Sequence, residues 1–192
     1  MNNRKIGFAL CGSFCTFEHA IKQIELLKEN GADVFPIMSF NAATINTRFG
    51  KAHEHIEKIE RICGRNVIAT IAEAEPIGPK NMLDLLIIEP CTGNTIGKLA
   101  NGITDTPVTL AAKAHLRNEK PVLIAVSTND ALTASALNIG KLLNNRNIYF
   151  VPMRQDAPET KTRSVVADFS KTLEAAEKAL NGIQIQPIIT EI

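Results

Sequence analysis

The chain has 192 residues, of which 45% are hydrophobic and 21% charged, as is typical of a folded globular domain with its own core. The formal net charge is +1 and 5% of the residues are aromatic, which disfavours binding of nucleic acid through a basic surface or through base stacking. No apolar run reaches the roughly 20 residues of a membrane span, no secretory signal precedes the first strand, and the cysteines lack zinc-ligand spacing. We therefore expect a single cytoplasmic domain over residues 1–192, with reduced thiols and no metal site.

Short β-rich runs alternate with helical segments along the chain, which is the pattern of βαβ units in a parallel sheet. Strands are predicted at 6–10, 34–38, 67–71, 85–88, 122–126 and 148–151. Helices are predicted from about 21 to Asn30-Gly31, at 52–62, in two short segments before Pro121 (the second opening at Thr106-Pro107), and at 132–143 and 165–180. The sequence therefore predicts an α/β fold with a doubly wound, open parallel sheet of the Rossmann-like kind in three αβα layers.

Three further segments complete this prediction. The stretch at 73–79 is expected to be irregular because two prolines and a glycine interrupt it, and 153–163 is expected to be a loop. The tail at 183–186 alternates apolar and polar residues, which predicts either an edge strand or a contact with another subunit. The core is expected to span 5–152, followed by a C-terminal helix and tail at 164–192.

Small, hydroxyl-rich or amide-rich loops follow four of the predicted strands, at 11–13, 39–41, 89–95 and 127–130. Ligands of open parallel sheets bind at the carboxyl ends of the strands, and helix N-termini there suit a phosphate or a planar polar ring. Each loop alone is equally well explained by helix capping, for which Ser, Thr and Asn are preferred. Four such loops at one edge favour a binding site. The dinucleotide fingerprint GxGxxG is missing from the first turn, so NAD binding of the usual kind is not predicted.

The segment 89–105, EPCTGNTIGKLANGITD, is the most specific pattern in the chain. It resembles the P-x-x-x-N-T-x-x-K-x-A-x-G-I-x-D loop of the flavin-containing cysteine decarboxylases and flavin prenyltransferases. That family also has a Gly-Ser turn after the first strand and a serine after the second, and it forms trimers or dodecamers with flavin between subunits. The resemblance implies a flavoprotein fold and FMN. The residues that it implies for the cofactor are Gly12, Ser13, Ser39, Cys91 (through its backbone), Thr92, Gly93, Asn94 and Ser127. A small buried thiol is an equal interpretation of Cys91.

Four less common segments, at 47–50, 72–80, 127–132 and 149–156, resemble the B subunits of dipicolinate synthases within this family. This implies oxidation of a dihydro- or hydroxytetrahydrodipicolinate precursor to dipicolinate in the mother cell of a spore former. The reaction would be shared with an A subunit, and NAD(P) would bind only to that partner subunit. An accessory flavin-binding subunit without its own catalysis remains an alternative, as does a prenyltransferase or decarboxylase. Against these last two, 153–158 lacks the decarboxylase cysteine, and Asn94 and Ser127 stand where the prenyltransferases have basic residues.

A dicarboxylate substrate calls for cations, and arginine binds a carboxylate with two parallel hydrogen bonds. We therefore predict Arg48, Arg154 and Arg163, all in loops, as substrate ligands, although solvated surface arginines would give the same pattern. Oxidation also needs a base, and the predicted catalytic residues are His53 and Asn129. His55 is the alternative base, but two residues apart on a helix the two histidines lie on different faces. Asn129 could equally cap the following helix.

Overall fold

The computed structural model describes residues 1–191, and within this range seven strands form the central layer. The strands are β1 Lys5–Leu10, β2 Asp33–Met38, β3 Leu85–Cys91, β4 Val122–Thr128, β5 Ile148–Phe150, β6 Met153–Gln155 and β7 Val165–Ala167. Five of them form a parallel sheet in the order β2-β1-β3-β4-β5. The end of β4 also pairs antiparallel with β7, which in turn pairs antiparallel with β6. The predicted parallel sheet is therefore extended by an antiparallel pair that the sequence pattern did not reveal.

Helices cover both faces of this sheet. They are α1 Phe17–Glu29, α2 Phe40–Thr44, α3 Ala52–Cys63, α4 Ile71–Ala74, α5 Gly93–Ala100, α6 Pro107–Arg117, α7 Ala136–Leu143 and α8 Thr172–Leu180, with 3₁₀ turns at Phe14–Thr16, Glu75–Ile77 and Phe169–Lys171. None of the helices described here is long and apolar enough to cross a bilayer.

The alternation of side chains along β1 divides the core into two layers. Ile6, Phe8 and Leu10 pack into one apolar cluster with residues of α1, α3 and α8. Ala9 and Cys11, which is two residues further along the chain, belong to the other cluster, which includes residues of α4, α5, α6 and α7. The central strand β3 is buried along its whole length, as expected for a parallel strand covered on both faces. The predicted three-layer αβα fold is confirmed.

Local sequence signals set several helix ends as predicted. Thr106 caps α6, since its Oγ1 accepts a hydrogen bond from the Thr109 backbone N–H at 3.2 Å, and Pro107 is the first helical residue. The helix α1 ends at Glu29 and is followed by Gly31, whose φ of +81° is a left-handed conformation that favours glycine.

The predictions for 67–71 and 73–79 were wrong. In place of a strand, Ile68 makes a single bridge to Ile37 at the sheet edge. Helix α4 begins directly afterwards because Thr70 and Glu73 form a capping box, with the Glu73 carboxylate accepting the Thr70 backbone N–H at 3.0 Å. Pro76 does not prevent the 3₁₀ turn that follows, since proline is tolerated in the first turn of a helix.

The last predicted helix begins later than expected. Residues 165–167, assigned to it from their apolar pattern, instead form β7, because the carboxyl end of β4 offers them an antiparallel partner. The predicted loop at 153–163 contains β6, and α7 begins at Ala136 rather than at 132. The tail at 183–186 forms no strand. There the Gln184 side chain replaces strand pairing, accepting the Phe150 N–H at 2.8 Å and donating to the Phe150 carbonyl at 2.7 Å.

Candidate functional site

The carboxyl ends of β1, β2, β3 and β4 meet at one edge of the sheet, where the chain order reverses around β1. Two clefts open there, a small one of about 380 Å³ and a large one of about 1000 Å³. Both are lined by Gly12, Thr92 and Asn94, so the turns after β1 and β3 form the boundary between them. This is the position at which open α/β sheets bind their ligands.

The small cleft lies between the ends of β1, β2 and β3 and is lined largely by neutral polar groups. Ser39 and Thr92 line it while capping α2 and α5; Ser39 Oγ accepts the Ala42 N–H at 3.3 Å and Thr92 Oγ1 the Thr95 N–H at 3.4 Å. These two residues therefore do cap helices, as the capping interpretation predicted. The hydroxyl hydrogen of Ser39 remains able to donate to a ligand, whereas that of Thr92 donates to Thr95 Oγ1 at 3.2 Å, since the Thr95 hydroxyl itself donates to Cys11.

Gly93 is required by the packing between α5 and the turn after β4. A Cβ at this position would lie 2.6 Å from Ser135 Oγ and 2.7 Å from both Asp130 Oδ1 and Thr128 Oγ1. Asp130 holds this arrangement together, because its Oδ1 accepts hydrogen bonds from Thr128 Oγ1 at 2.6 Å and from Ser135 Oγ at 2.9 Å. Asp130 lies in the 127–130 loop that the sequence singled out, but neither Asp130 nor Ser135 was predicted as a site residue, since their packing against Gly93 joins residues that are distant in the sequence.

A second contact joins the turn after β1 to the end of β4. The Oγ atoms of Ser13 and Ser127 lie 2.8 Å apart, although the residues are separated by 114 positions. Both line the large cleft. Two of the loops that the sequence singled out are thus joined by a hydrogen bond across the end of β3.

Two buried thiols lie beneath these turns. Cys11 Sγ accepts a hydrogen bond from Thr95 Oγ1 at 3.2 Å, and burial raises the pKa of Cys11 to about 11. Burial, with Cys11 nearby, also raises the pKa of Cys91 well above its usual value. Cys91 has no exposed surface and is absent from the lining of both clefts. Its side chain is a neutral buried thiol, and a backbone contact with a cofactor stays a prediction.

The large cleft contains part of the predicted substrate site. Asn129 and Arg154 line it together with Lys22 and Lys161. Lys161 forms an ion pair with Asp156, and the hydrogen bond from its ammonium to that carboxylate raises the Lys161 pKa. The cleft therefore has cationic groups on the α1 side and on the side of the antiparallel pair, of the kind that bind carboxylates. The same lining also contains three aspartates, Asp130, Asp156 and Asp168.

Three other predicted residues lie outside the linings of both clefts. Arg163 is exposed in the turn before β7, and Arg48 is exposed beside Phe49. His53 is exposed on α3, whereas His55 is 6% exposed with its ring edge-on to Phe17. The two histidines thus occupy different faces of the helix, as predicted. The catalytic and substrate roles of these residues stay predictions.

Glu89 is a buried acid to which the sequence analysis assigned no role. It is the first residue of the 89–105 segment, lies on β3 and has no exposed surface. One carboxyl oxygen accepts a hydrogen bond from Thr172 Oγ1 of α8 at 2.7 Å, and the other has no hydrogen-bond partner among residues 1–191. Burial raises the Glu89 pKa to about 8, so the carboxyl is neutral at pH 7. The only feature of the sequence that pointed to a buried carboxyl was a single acidic residue within the apolar run of β3.

The family model described as Flavoprotein matches residues 1–173. The chain belongs to the flavoprotein family. It is 46% identical to the B subunit of dipicolinate synthase from Bacillus subtilis, over the whole of this chain and 96% of that protein. The resemblance predicted from the loops is thereby confirmed.

Two solved structures extend this comparison. The B subunit of dipicolinate synthase from Bacillus halodurans superposes with a TM-score of 0.91 at 44% identity, covering all of this chain and 99% of that one. Burkholderia xenovorans DmrB, described as a cubic protein cage in complex with FMN, gives a TM-score of 0.66 at 18% identity over 93% of this chain and 96% of its own. At that identity the likeness to DmrB concerns the fold.

Proposed function

We propose that this chain binds FMN and acts as the B subunit of a dipicolinate synthase. With an A subunit, it would oxidise a dihydro- or hydroxytetrahydrodipicolinate precursor to dipicolinate. The full-length similarity to two B subunits supports the assignment. The observation that carries the chemistry is the meeting, at Gly12, Thr92 and Asn94, of a small, largely neutral polar cleft and a larger cleft that contains Arg154 and Lys22, since a cofactor in one would contact a substrate in the other.

The donor set of the small cleft fits a flavin. Hydroxyl and amide groups of Ser39, Asn41 and Asn94 line this cleft, and at Gly12 a Cβ would make only ordinary van der Waals contact, 3.6 Å from the Phe14 ring. Gly12 and Ser13 would hold the phosphate or ribityl chain, and Ser39, Thr92, Gly93 and Asn94 would lie along the ring system, with Ser127 beside them. Of these residues, Ser13, Gly93 and Ser127 line the large cleft and would contact the flavin where the two clefts meet. When bound, FMN would accept the two electrons that the substrate loses.

The large cleft would hold the dicarboxylate. Arg154 would pair with one carboxylate, with Lys22 adding positive charge, while Asn129 would donate its amide to the substrate. Arg163 would contribute from the rim. These groups orient the ring relative to the turns at Gly12 and Thr92 and do not themselves undergo redox chemistry.

His53 would serve as base only for the cleft of a neighbouring protomer, since it is exposed on α3 outside both clefts of its own chain. This fits the homo-oligomer, a trimer or dodecamer, that we propose from the family. We further propose that NAD(P) enters through the A subunit and that the complex works in the cytoplasm of the mother cell.

The test combines the purified chain with its A subunit and precursor and follows the absorbance of the pyridine dicarboxylate. We expect the full rate to need both chains and the purified chain to show a flavin spectrum. Full-rate formation by the A subunit alone would reduce this chain to an accessory role. A colourless chain that takes up no added FMN would refute the cofactor proposal, whatever the rate.

A further inference from the structure

A tight turn at residues 47–50, here called the 47–50 turn, projects next to the large cleft. The Thr47 N–H donates to the Gly50 carbonyl at 3.0 Å, and the Gly50 N–H donates to the Thr47 carbonyl at 3.2 Å. The Phe49 N–H donates to Thr47 Oγ1 at 3.1 Å. These bonds fix the backbone of the turn and place Arg48 and Phe49 at its tip.

The base of the turn is held against the body of the protein. Gly50 has a φ of +136°, and a Cβ there would lie 2.5 Å from Nε2 of the buried His55. The His55 ring packs edge-on against Phe17 of α1, with ring centres 5.2 Å apart. On the other side, the Ala52 N–H donates to Asn46 Oδ1 at 2.9 Å. The turn is thus anchored to α3 directly and to α1 through His55.

Phe49 is an exposed aromatic ring at a fixed position. It is 43% exposed and forms part of the lining of the large cleft. The Arg48 guanidinium carbon lies 4.8 Å from the centre of the ring, so that Arg48 covers one face of Phe49. Of the other phenylalanines in this lining, Phe169 is only 7% exposed and Phe14 is half-buried. Phe49 is therefore the most exposed of the phenylalanines in this lining, which also contains the exposed imidazole of His19.

We propose that Phe49 is a specificity-determining residue, stacking its free face on the planar pyridine ring of the dicarboxylate while Arg48 covers the opposite face. The inference rests on the proposed function, because it takes the ligand from there. Offset stacking of two rings stabilises a complex beyond the area that it buries, and a cation over the opposite face leaves that arrangement intact. His55 and Gly50 are positioning residues that hold the ring in place.

The experiment compares two ligands that differ in ring planarity. Pyridine-2,6-dicarboxylate and the saturated cis-piperidine-2,6-dicarboxylate have the same two carboxylates, and each is titrated calorimetrically into the full chain in the presence of FMN. We expect Phe49→Leu to weaken binding of the planar ligand by about 3- to 10-fold and to leave the saturated ligand within about 2-fold.

Two glycine variants at opposite ends of α3 test the positioning. Gly50→Ala should reduce the preference for the planar ligand as Phe49→Leu does, because the new Cβ displaces the turn from His55. Gly64→Ala is the matched control; its φ is also positive, at +69°, but a Cβ there meets nothing within 4 Å, so the preference should be unchanged.

The outcomes separate this inference from the proposed function. If the native chain binds both ligands and Phe49→Leu weakens them equally, the stacking role is overturned while the dicarboxylate site stands. If the native chain binds neither ligand, the proposed substrate site fails and the inference fails with it.

Discussion

Replacing Glu89 with glutamine should change how the stability of the protein depends on pH. The carboxyl is fully buried, accepts one hydrogen bond from Thr172, and has its pKa raised by burial from 4.5 to about 8. The amide of Glu89→Gln has nearly the same shape, and its oxygen can accept the same hydrogen bond, but it does not ionise.

The sign follows from proton binding in the two states. Between the ordinary pKa of 4.5 and the folded value of about 8, the unfolded chain loses the Glu89 proton while the folded chain keeps it. The contribution of Glu89 is therefore fully present below pH 4.5 and is lost as the pH rises to 8, by about 1.4 kcal/mol per pH unit. At pH 7 the accumulated loss is about 3 kcal/mol. That is a large part of the stability of an ordinary domain.

Urea unfolding of both proteins at pH 5, 6, 7 and 8, at fixed protein concentration, measures this difference. The free energy of unfolding of Glu89→Gln, relative to the native chain, should rise by about 2.5 kcal/mol from pH 5 to pH 7. The buried amide N–H groups that lack a partner add a constant cost of about 1–3 kcal/mol, which does not change the slope. The slope therefore isolates the titration from the packing change.

Glu73→Gln provides the control. Hydrogen bonds from the backbone of Ala69 and from Thr70 lower the pKa of Glu73, so its carboxyl is ionised in both states above pH 5. The difference in free energy of unfolding between Glu73→Gln and the native chain should therefore stay constant from pH 5 to pH 8. A flat difference for Glu89→Gln as well would show that Glu89 is ionised in the folded protein and would refute the reasoning.

Two further predictions concern the clefts. Gly93→Ala should lower FMN affinity at least 10-fold, measured by fluorescence titration, and destabilise the fold by about 1–3 kcal/mol, measured by urea unfolding, since its Cβ would overlap the oxygens around Asp130. In the control Gly97→Ala the new Cβ would lie no closer than 3.6 Å to any atom, so the FMN affinity and the stability should both be unchanged. Arg154→Gln should raise the KM for the precursor about 10-fold or more with little change in melting temperature, whereas Arg146→Gln, exposed and outside the cleft linings, should not. Equal effects of either variant and its control would contradict the assigned contact.

Much of the candidate site was predictable because its residues follow directly on strands. Once β1 and β3 are parallel neighbours, Gly12 and Thr92 must come together at the same edge, whatever else the chain does. The flavin-type loop was recognisable because its residues are consecutive along the chain. The contact between Ser13 and Ser127 was not predictable, since it depends on the twist and stagger of three strands.

The sequence by itself determined the parallel sheet, its two covered faces and the family, because strand and helix periodicity and the 89–105 loop are local properties. Tertiary structure alone decided three features. The segment 165–167 is a strand only because β4 offers it a free edge, and three residues cannot form a strand alone. Glu89 keeps its proton only because apolar layers enclose it. Phe49 faces a cleft only because Gly50 packs against His55, and such contacts between distant residues leave no periodic pattern in the chain.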